Sequence, residues 1–193
     1  MILFQPRLLV VLYFVLWCLF FLGEIALSFG RRAKAGRAPE DRGFFSLVWV
    51  HFLLTNLLAV LCLRFFPAAS FGTYSTSCIG LGLMLAGLLL RWWAIIHLGR
   101  FFTVDVAVAA DQNVVDSGPY KLVRHPSYTG ALLVVTGLGI CFGNFASIVA
   151  LLVPFAALML RRMRIEEAAL SKGLGDSYLA YMNRTKRLFP GVY

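Results

Sequence analysis

The sequence predicts an all-α integral membrane protein, a single domain over residues 1–193 with five transmembrane helices, the last two paired as a hairpin. Three observations predict it. Hydrophobic residues make up 60% of the chain and charged ones only 14%, where a soluble domain carries about 25% charged. Mean hydropathy is +0.81. The apolar residues gather into four long blocks, and the cations stand beside those blocks rather than on a separate polar domain.

The first block, Leu8 to Phe29, follows a short N-terminus with one arginine and is too long for a signal-peptide core. It reads as a retained span over 8–29. Blocks at 44–66 and 77–97 follow, each with about the 20 residues that cross a hydrocarbon core of roughly 30 Å at 1.5 Å per residue. Gly130 to Leu160 is thirty-one residues, too many for one span and too few for two complete ones. Gly143-Asn144 near its middle is a strong turn signal. The expected hairpin covers 129–160, with arms at Thr129 to Phe142 and Phe145 to Leu160. Gly80, Gly82, Gly87, Gly139 and Gly143 have spacings that suit close helix approach in lipid.

Charge sets the orientation. Arg31, Arg32, Lys34, Arg37 and Arg42 separate the first two blocks, whereas Pro67 to Thr76 carries no charge. By the positive-inside rule the first interval is cytoplasmic and the N-terminus external. The segment 98–128 and the tail 161–193 then share the cytoplasmic face, and the tail holds seven of the eighteen cations. This placement accounts for the net charge of +9 without nucleic acid. Cys18, Cys62, Cys78 and Cys141 lie in apolar stretches without pair spacing and read as small buried hydrophobes. Glu24 and Arg91 are ionisable residues at similar depth within spans, where an unpaired charge is costly. Either they pair, or Arg91, beside Trp92 and Trp93, faces a substrate cavity.

The polar interval Ser117 to Gly130 holds two prolines, two glycines, two tyrosines, two cations and a histidine. Pro119 and Pro126 restrict their own φ and push Gly118 and His125 toward extended backbone, so the stretch reads as a shaped loop entering a helix. It is either a ligand-binding loop or a plain connector. In the tail, Arg162 and Glu166 share a helical face as a surface pair, while adjacent Glu166 and Glu167 point about 100° apart. One glutamate pairs with Arg162 and the other turns to a ligand. Gly173-Leu174-Gly175 ends that helix, Asp176 is placed to cap the next, and Tyr178 and Tyr181 share its face.

Gly118-Pro119-Tyr120, Arg124-His125-Pro126 with Tyr128 and Gly130, Arg162 with Glu166-Glu167, Gly175-Asp176 with Tyr178 and Tyr181, and Leu188-Phe189-Pro190 together resemble the isoprenylcysteine carboxyl methyltransferase family of integral membrane methyltransferases. Small prokaryotic members share the five-span layout, which implies a prokaryotic inner membrane. The resemblance implies S-adenosylmethionine as cofactor, bound between the cytoplasmic loop and the tail. It places Gly118, Tyr120, Arg124, His125, Pro126 and Tyr128 around the cofactor and Glu167 in its polar anchor. Arg162 and Glu166 fall at the catalytic junction with a lipophilic substrate, and Arg91 and Trp92 on the substrate side. For His125 three roles stay open: donor to the cofactor carboxylate, loop staple, or general base with a reference pKa near 6.5. For Tyr120 and Tyr128 the alternative is anchoring at the bilayer interface. The implied reaction is carboxyl methylation of a prenylcysteine-like acid. Rival expectations are a lipid amine or thiol methyltransferase, an NADPH-dependent sterol-type reductase, and a membrane scaffold without catalysis.

Overall fold

A computed structural model describes residues 7–30, 44–109 and 111–192, and its named elements are all helical. In chain order they are α1 Arg7–Gly30, α2 Phe44–Phe65, α3 Tyr74–Leu98, α4 Pro126–Phe142, α5 Phe145–Leu174 and α6 Asp176–Arg184, with 3-10 turns at Pro67–Ala69, Gly99–Phe101 and Gly118–Lys121. Among the described residues, four stretches are long and apolar enough to cross a bilayer: Arg7–Gly30, Leu47–Phe65, Tyr74–Phe101 and Phe145–Leu174. At 17 residues, α4 is a shorter apolar helix. The basic interval Arg31 to Arg42 lies outside the described residues.

Several boundaries differ from expectation for local reasons. α3 begins at Tyr74 rather than 77, because Thr73 and Thr76 form a reciprocal capping box. α4 begins at Pro126 rather than Thr129, since proline in the first turn gives up only an N–H that has no partner within the helix. α5 runs through Gly173 and ends only at Leu174. Gly175, at φ +59°, closes it by donating its N–H to the Ser171 carbonyl and occupies the N-cap position of α6 as well. Asp176 is therefore the first residue of α6 and not its cap, contrary to the sequence reading; there it complements the positive end of the helix.

The core is built around the antiparallel pair α3 and α4. A Cβ on Gly87 would stand 2.5 Å from the Gly130 carbonyl oxygen, and one on Gly80 would stand 2.7 Å from that of Gly137. The backbones touch at both crossings, and only glycine permits it. Of the expected contact glycines, Gly80 and Gly87 serve this contact; Gly82 faces open space, Gly139 packs on Ile148 of α5, and Gly143 sits in the hairpin turn against Gly72. Gly130 and Gly137 supply the opposing side. Met84, Val134, Leu138 and Cys141 fill the seam, with Tyr13 and Phe20 of α1 covering it. Cys62 and Cys141 are buried, but Cys18 and Cys78 are exposed, a correction to the reading of all four as buried. A thiol is apolar enough for a lipid-facing position.

Gly87→Val places a branched side chain against backbone on the partner helix, including the Val134 nitrogen at 2.8 Å from the new Cβ. Neither backbone has room to yield, and overpacking of this kind costs at least about 1–3 kcal/mol. The variant is expected to lose most of its monodisperse fraction on size-exclusion chromatography in detergent.

The hairpin turn falls where Gly143-Asn144 predicts it. Gly143 is left-handed at φ +61°, and the Asn144 side chain caps α5 by accepting from the Ser147 N–H at 3.1 Å. Its amide also donates to the Phe66 carbonyl at 2.9 Å, and the N–H of Phe71 donates to Gly143 at 2.8 Å. The turn end of the hairpin is thus fastened to the connection between α2 and α3. The opposite end is left to carry the polar loop and tail.

Candidate active site

The loop and tail meet through main-chain and side-chain bonds. The N–H groups of Arg124 and His125 donate to the carbonyls of Lys186 and Arg187 at 2.8 and 3.0 Å, and the Thr129 hydroxyl donates to that of Leu188 at 2.9 Å. The Tyr181 hydroxyl donates to the Tyr120 carbonyl at 2.7 Å, and the Tyr120 hydroxyl to the Ala94 carbonyl at 3.3 Å. Burial pushes the Tyr120, Tyr178 and Tyr181 hydroxyls up, that of Tyr181 to about 12, so all three are neutral at physiological pH. The Gly118–Lys121 turn is held from α3 on one side and α6 on the other.

At the centre of this junction is Glu167. Its carboxylate accepts from Arg124 Nε at 3.0 Å, from Arg187 Nη2 at 2.7 Å and Nε at 3.0 Å, and lies 3.2 Å from His125 Nε2. Arg124 also donates to the carbonyls of Met182 and Thr185. Three segments distant in sequence, the loop at 124–125, α5 and the tail at Arg187, are joined by one buried anion.

A continuous cavity opens beside this hub. Its polar end includes Arg162, Glu166, Tyr128 and His125, and its apolar end includes Phe20, Phe21, Trp49 and Phe52 from α1 and α2. The Tyr128 hydroxyl donates to Glu166 at 2.8 Å. Arg162, 4% exposed, donates through Nη2 to the Val104 carbonyl and so ties α5 to the segment that follows α3. Between the two ends, Arg91 donates to Glu24 through Nε at 2.6 Å and Nη2 at 2.8 Å, and through Nη1 to the Ser127 hydroxyl at 2.8 Å.

The sequence-predicted residues divide accordingly. Tyr120, Arg124, His125, Tyr128, Arg162, Glu166 and Arg91 line the cavity. Gly118, Pro126, Glu167 and Trp92 do not. Gly118 underlies the His97 ring, Pro126 is buried in the first turn of α4, and Trp92 packs on Gly23 of α1. Glu167 lies behind the cavity wall because its oxygens are occupied by the loop and tail cations; Glu166 is the glutamate that faces the cavity. Arg162 is buried rather than half of a surface pair. Glu24 and Arg91 pair with each other, and both line the cavity. Arg187 went unmarked in the sequence, where it reads as part of an apolar stop; so did Val104 and its neighbours, which have no motif.

The comparisons with known proteins now bear on this geometry. A protein-S-isoprenylcysteine O-methyltransferase of Arabidopsis thaliana is 30% identical over 152 residues, covering 76% of this chain and 77% of that protein. The chain belongs to the isoprenylcysteine carboxyl methyltransferase family. It is an enzyme of the methyltransferase class. The isoprenylcysteine carboxyl methyltransferase family model matches residues 79–172, from early α3 almost to the end of α5. The corresponding enzyme of Schizosaccharomyces pombe is 33% identical over 135 residues, covering 67% of this chain and 56% of the relative. Among solved structures, the eukaryotic intramembrane Ras methyltransferase of this family superposes with a TM-score of 0.64 at 27% identity, over 76% of this chain and 53% of that one. In this chain the residues matched by the family model, 79–172, include the polar end of the cavity, whereas α1, α2 and Arg187 lie outside the match.

Proposed function

We propose that this chain methylates the carboxylate of a prenylcysteine-like acid, using S-adenosylmethionine drawn from the cytosol and an acceptor drawn from the bilayer. One observation carries the reading: a single cavity runs from an aromatic wall on α1 and α2 to the Arg162, Glu166 and Tyr128 cluster. Family membership supports methyl transfer over the sterol-type reductase, the lipid amine or thiol acceptor and the scaffold.

The residues present fit the cofactor. Glu166 offers a carboxylate to an ammonium or to ribose hydroxyls, and Gln112 and Asn113 offer amides on the same wall. Val106, Val108 and Leu174 supply apolar surface for a purine. When bound, S-adenosylmethionine supplies a methyl group on an electrophilic sulfonium. The acceptor carboxylate is ionised at pH 7, so the site has no need of a strong base. Arg162 holds that carboxylate by charge-assisted hydrogen bonds and fixes its line of approach. Tyr128 orients Glu166, and the surrounding apolar wall excludes water. His125, within reach of Glu167, acts as a staple between loop and α5.

In the bilayer α4 serves as a fifth span, paired with α5. The N-terminus is external, and the loop and tail are cytoplasmic, in a prokaryotic inner membrane. Isothermal titration calorimetry of the detergent-solubilised protein tests the assignment. S-adenosylhomocysteine is expected to bind and NADPH is not; binding of NADPH alone, or of neither, refutes it.

A further inference from the structure

We propose that Arg161 and Arg164 form a docking site for the phosphate of an anionic phospholipid, on the lipid-facing edge of α5. Exposure along this helix follows one stripe. Phe145, Val149 and Val153 are 61%, 59% and 59% exposed, and Ala157, four residues further on, is exposed as well. In a helix that crosses a bilayer, positions at this spacing share a face and meet acyl chains. Past Leu160 the same stripe continues as Arg161, Arg164, Ala168 and Lys172, all exposed. The face is therefore apolar through the membrane part of α5 and basic immediately beyond it. The other faces are taken: Arg162, Glu166 and Leu170 line the cavity, and Met163 and Glu167 are buried.

Depth selects the occupant. Phe145 to Leu160 rises about 24 Å at 1.5 Å per residue, short of a hydrocarbon core of roughly 30 Å. Arg161 and Arg164 thus leave the hydrocarbon at its boundary, where a long side chain lays its stem along lipid and lifts its charge into the headgroups. Positions three apart on a helix are neighbours, so the two guanidinium groups can close on one phosphate. Among the described residues, neither arginine makes a hydrogen bond or an ion pair, whereas Arg100 is paired with Asp111, Arg184 with Asp116, and Arg124 and Arg187 with Glu167. Arg162, which lies between them in sequence, turns the other way and bonds the Val104 carbonyl. A general excess of positive charge beside a span has no need of this register; a lipid phosphate does. Lys172 shares the face but stands about 18 Å beyond Leu160, past a headgroup layer about 5–7 Å thick. A phosphate at the bilayer surface therefore meets the two arginines and not Lys172, while an acidic protein segment laid along the stripe would meet all three.

The test titrates the intact detergent-solubilised chain with phosphatidylglycerol and, separately, phosphatidylcholine, and reads the lipid retained per chain by native mass spectrometry. Phosphatidylglycerol is expected to bind about 10–30-fold more tightly, the effect of two basic residues at an anionic surface. Arg161→Gln and Arg164→Gln should each lose about fivefold of that preference, and the double variant should hold both lipids alike. Lys172→Gln should keep the preference. In the unmodified chain, ammonium acetate at about 1 M, where charges are screened beyond about 3 Å, should abolish it, a readout that needs no variant to fold. Equal retention of the two lipids by the unmodified chain overturns the site, as does a preference that survives the double variant or the salt. A loss in Lys172→Gln equal to that in Arg164→Gln assigns the stripe to an acidic protein segment and overturns the lipid. Displacement by an equal concentration of inorganic phosphate does the same in favour of a free anion. A change of particle mass in the double variant, read by light scattering, marks the face as a contact between copies and also overturns it.

Discussion

Glu167→Ala is expected to destabilise the protein by about 3–5 kcal/mol, the usual consequence of removing one partner from a buried ionic cluster. The Glu167 side chain is 5% exposed, and Arg124 and Arg187 both direct their guanidinium groups at it. Alanine leaves two cations facing each other across an apolar gap, with His125 beside them. Glutamine preserves hydrogen-bonding capacity and should fall between alanine and the native residue. Thermal unfolding in detergent, with and without S-adenosylhomocysteine, measures the effect. A melting curve unchanged from the native protein excludes the clamp role.

Arg162→Ala should slow ester formation by about 10²-fold, the scale of losing the alignment of a reacting group. Lysine should restore little of the rate, because only the planar guanidinium fork can both reach the Val104 carbonyl and hold a carboxylate with two N–H groups. Initial rates with a prenylcysteine acceptor, set beside S-adenosylhomocysteine affinity, separate the two functions of the side chain. A rate loss below about tenfold removes Arg162 from the reaction.

Much of this fold was legible because its signals are local. Apolar run length places α1, α2 and the membrane part of α5, and Gly143-Asn144 places the hairpin turn without reference to anything distant. The α3 and α4 seam was half visible, since Gly80 and Gly87 attract notice by spacing while Gly130 and Gly137 gain meaning only once the antiparallel register is known. The two glutamates show where sequence reasoning stops. Their angular separation on the helix gives them different surroundings, yet which one faces the cavity depends on Arg124 and Arg187, on segments whose approach no local pattern encodes. The family resemblance puts Glu167 in the cofactor's anchor; the structure buries Glu167 among three basic side chains and sets Glu166 on the cavity wall. Trp92 was likewise assigned by proximity to Arg91 in sequence, but adjacent helical positions diverge by about 100°, and Trp92 faces α1.

The junction at Glu167 also imposes an order on biosynthesis. Arg124 waits for the carbonyl of Thr185, 61 residues later, and its main-chain N–H for that of Lys186. At about 5–20 residues per second, the loop spends roughly 3–12 s at the membrane face with its bonding groups open to water before its partners are translated. Membrane insertion of the apolar helices does not require those partners. The bundle therefore precedes its own chemistry: a nascent chain holds the aromatic wall and the glycine seam before it holds a place for a methyl donor.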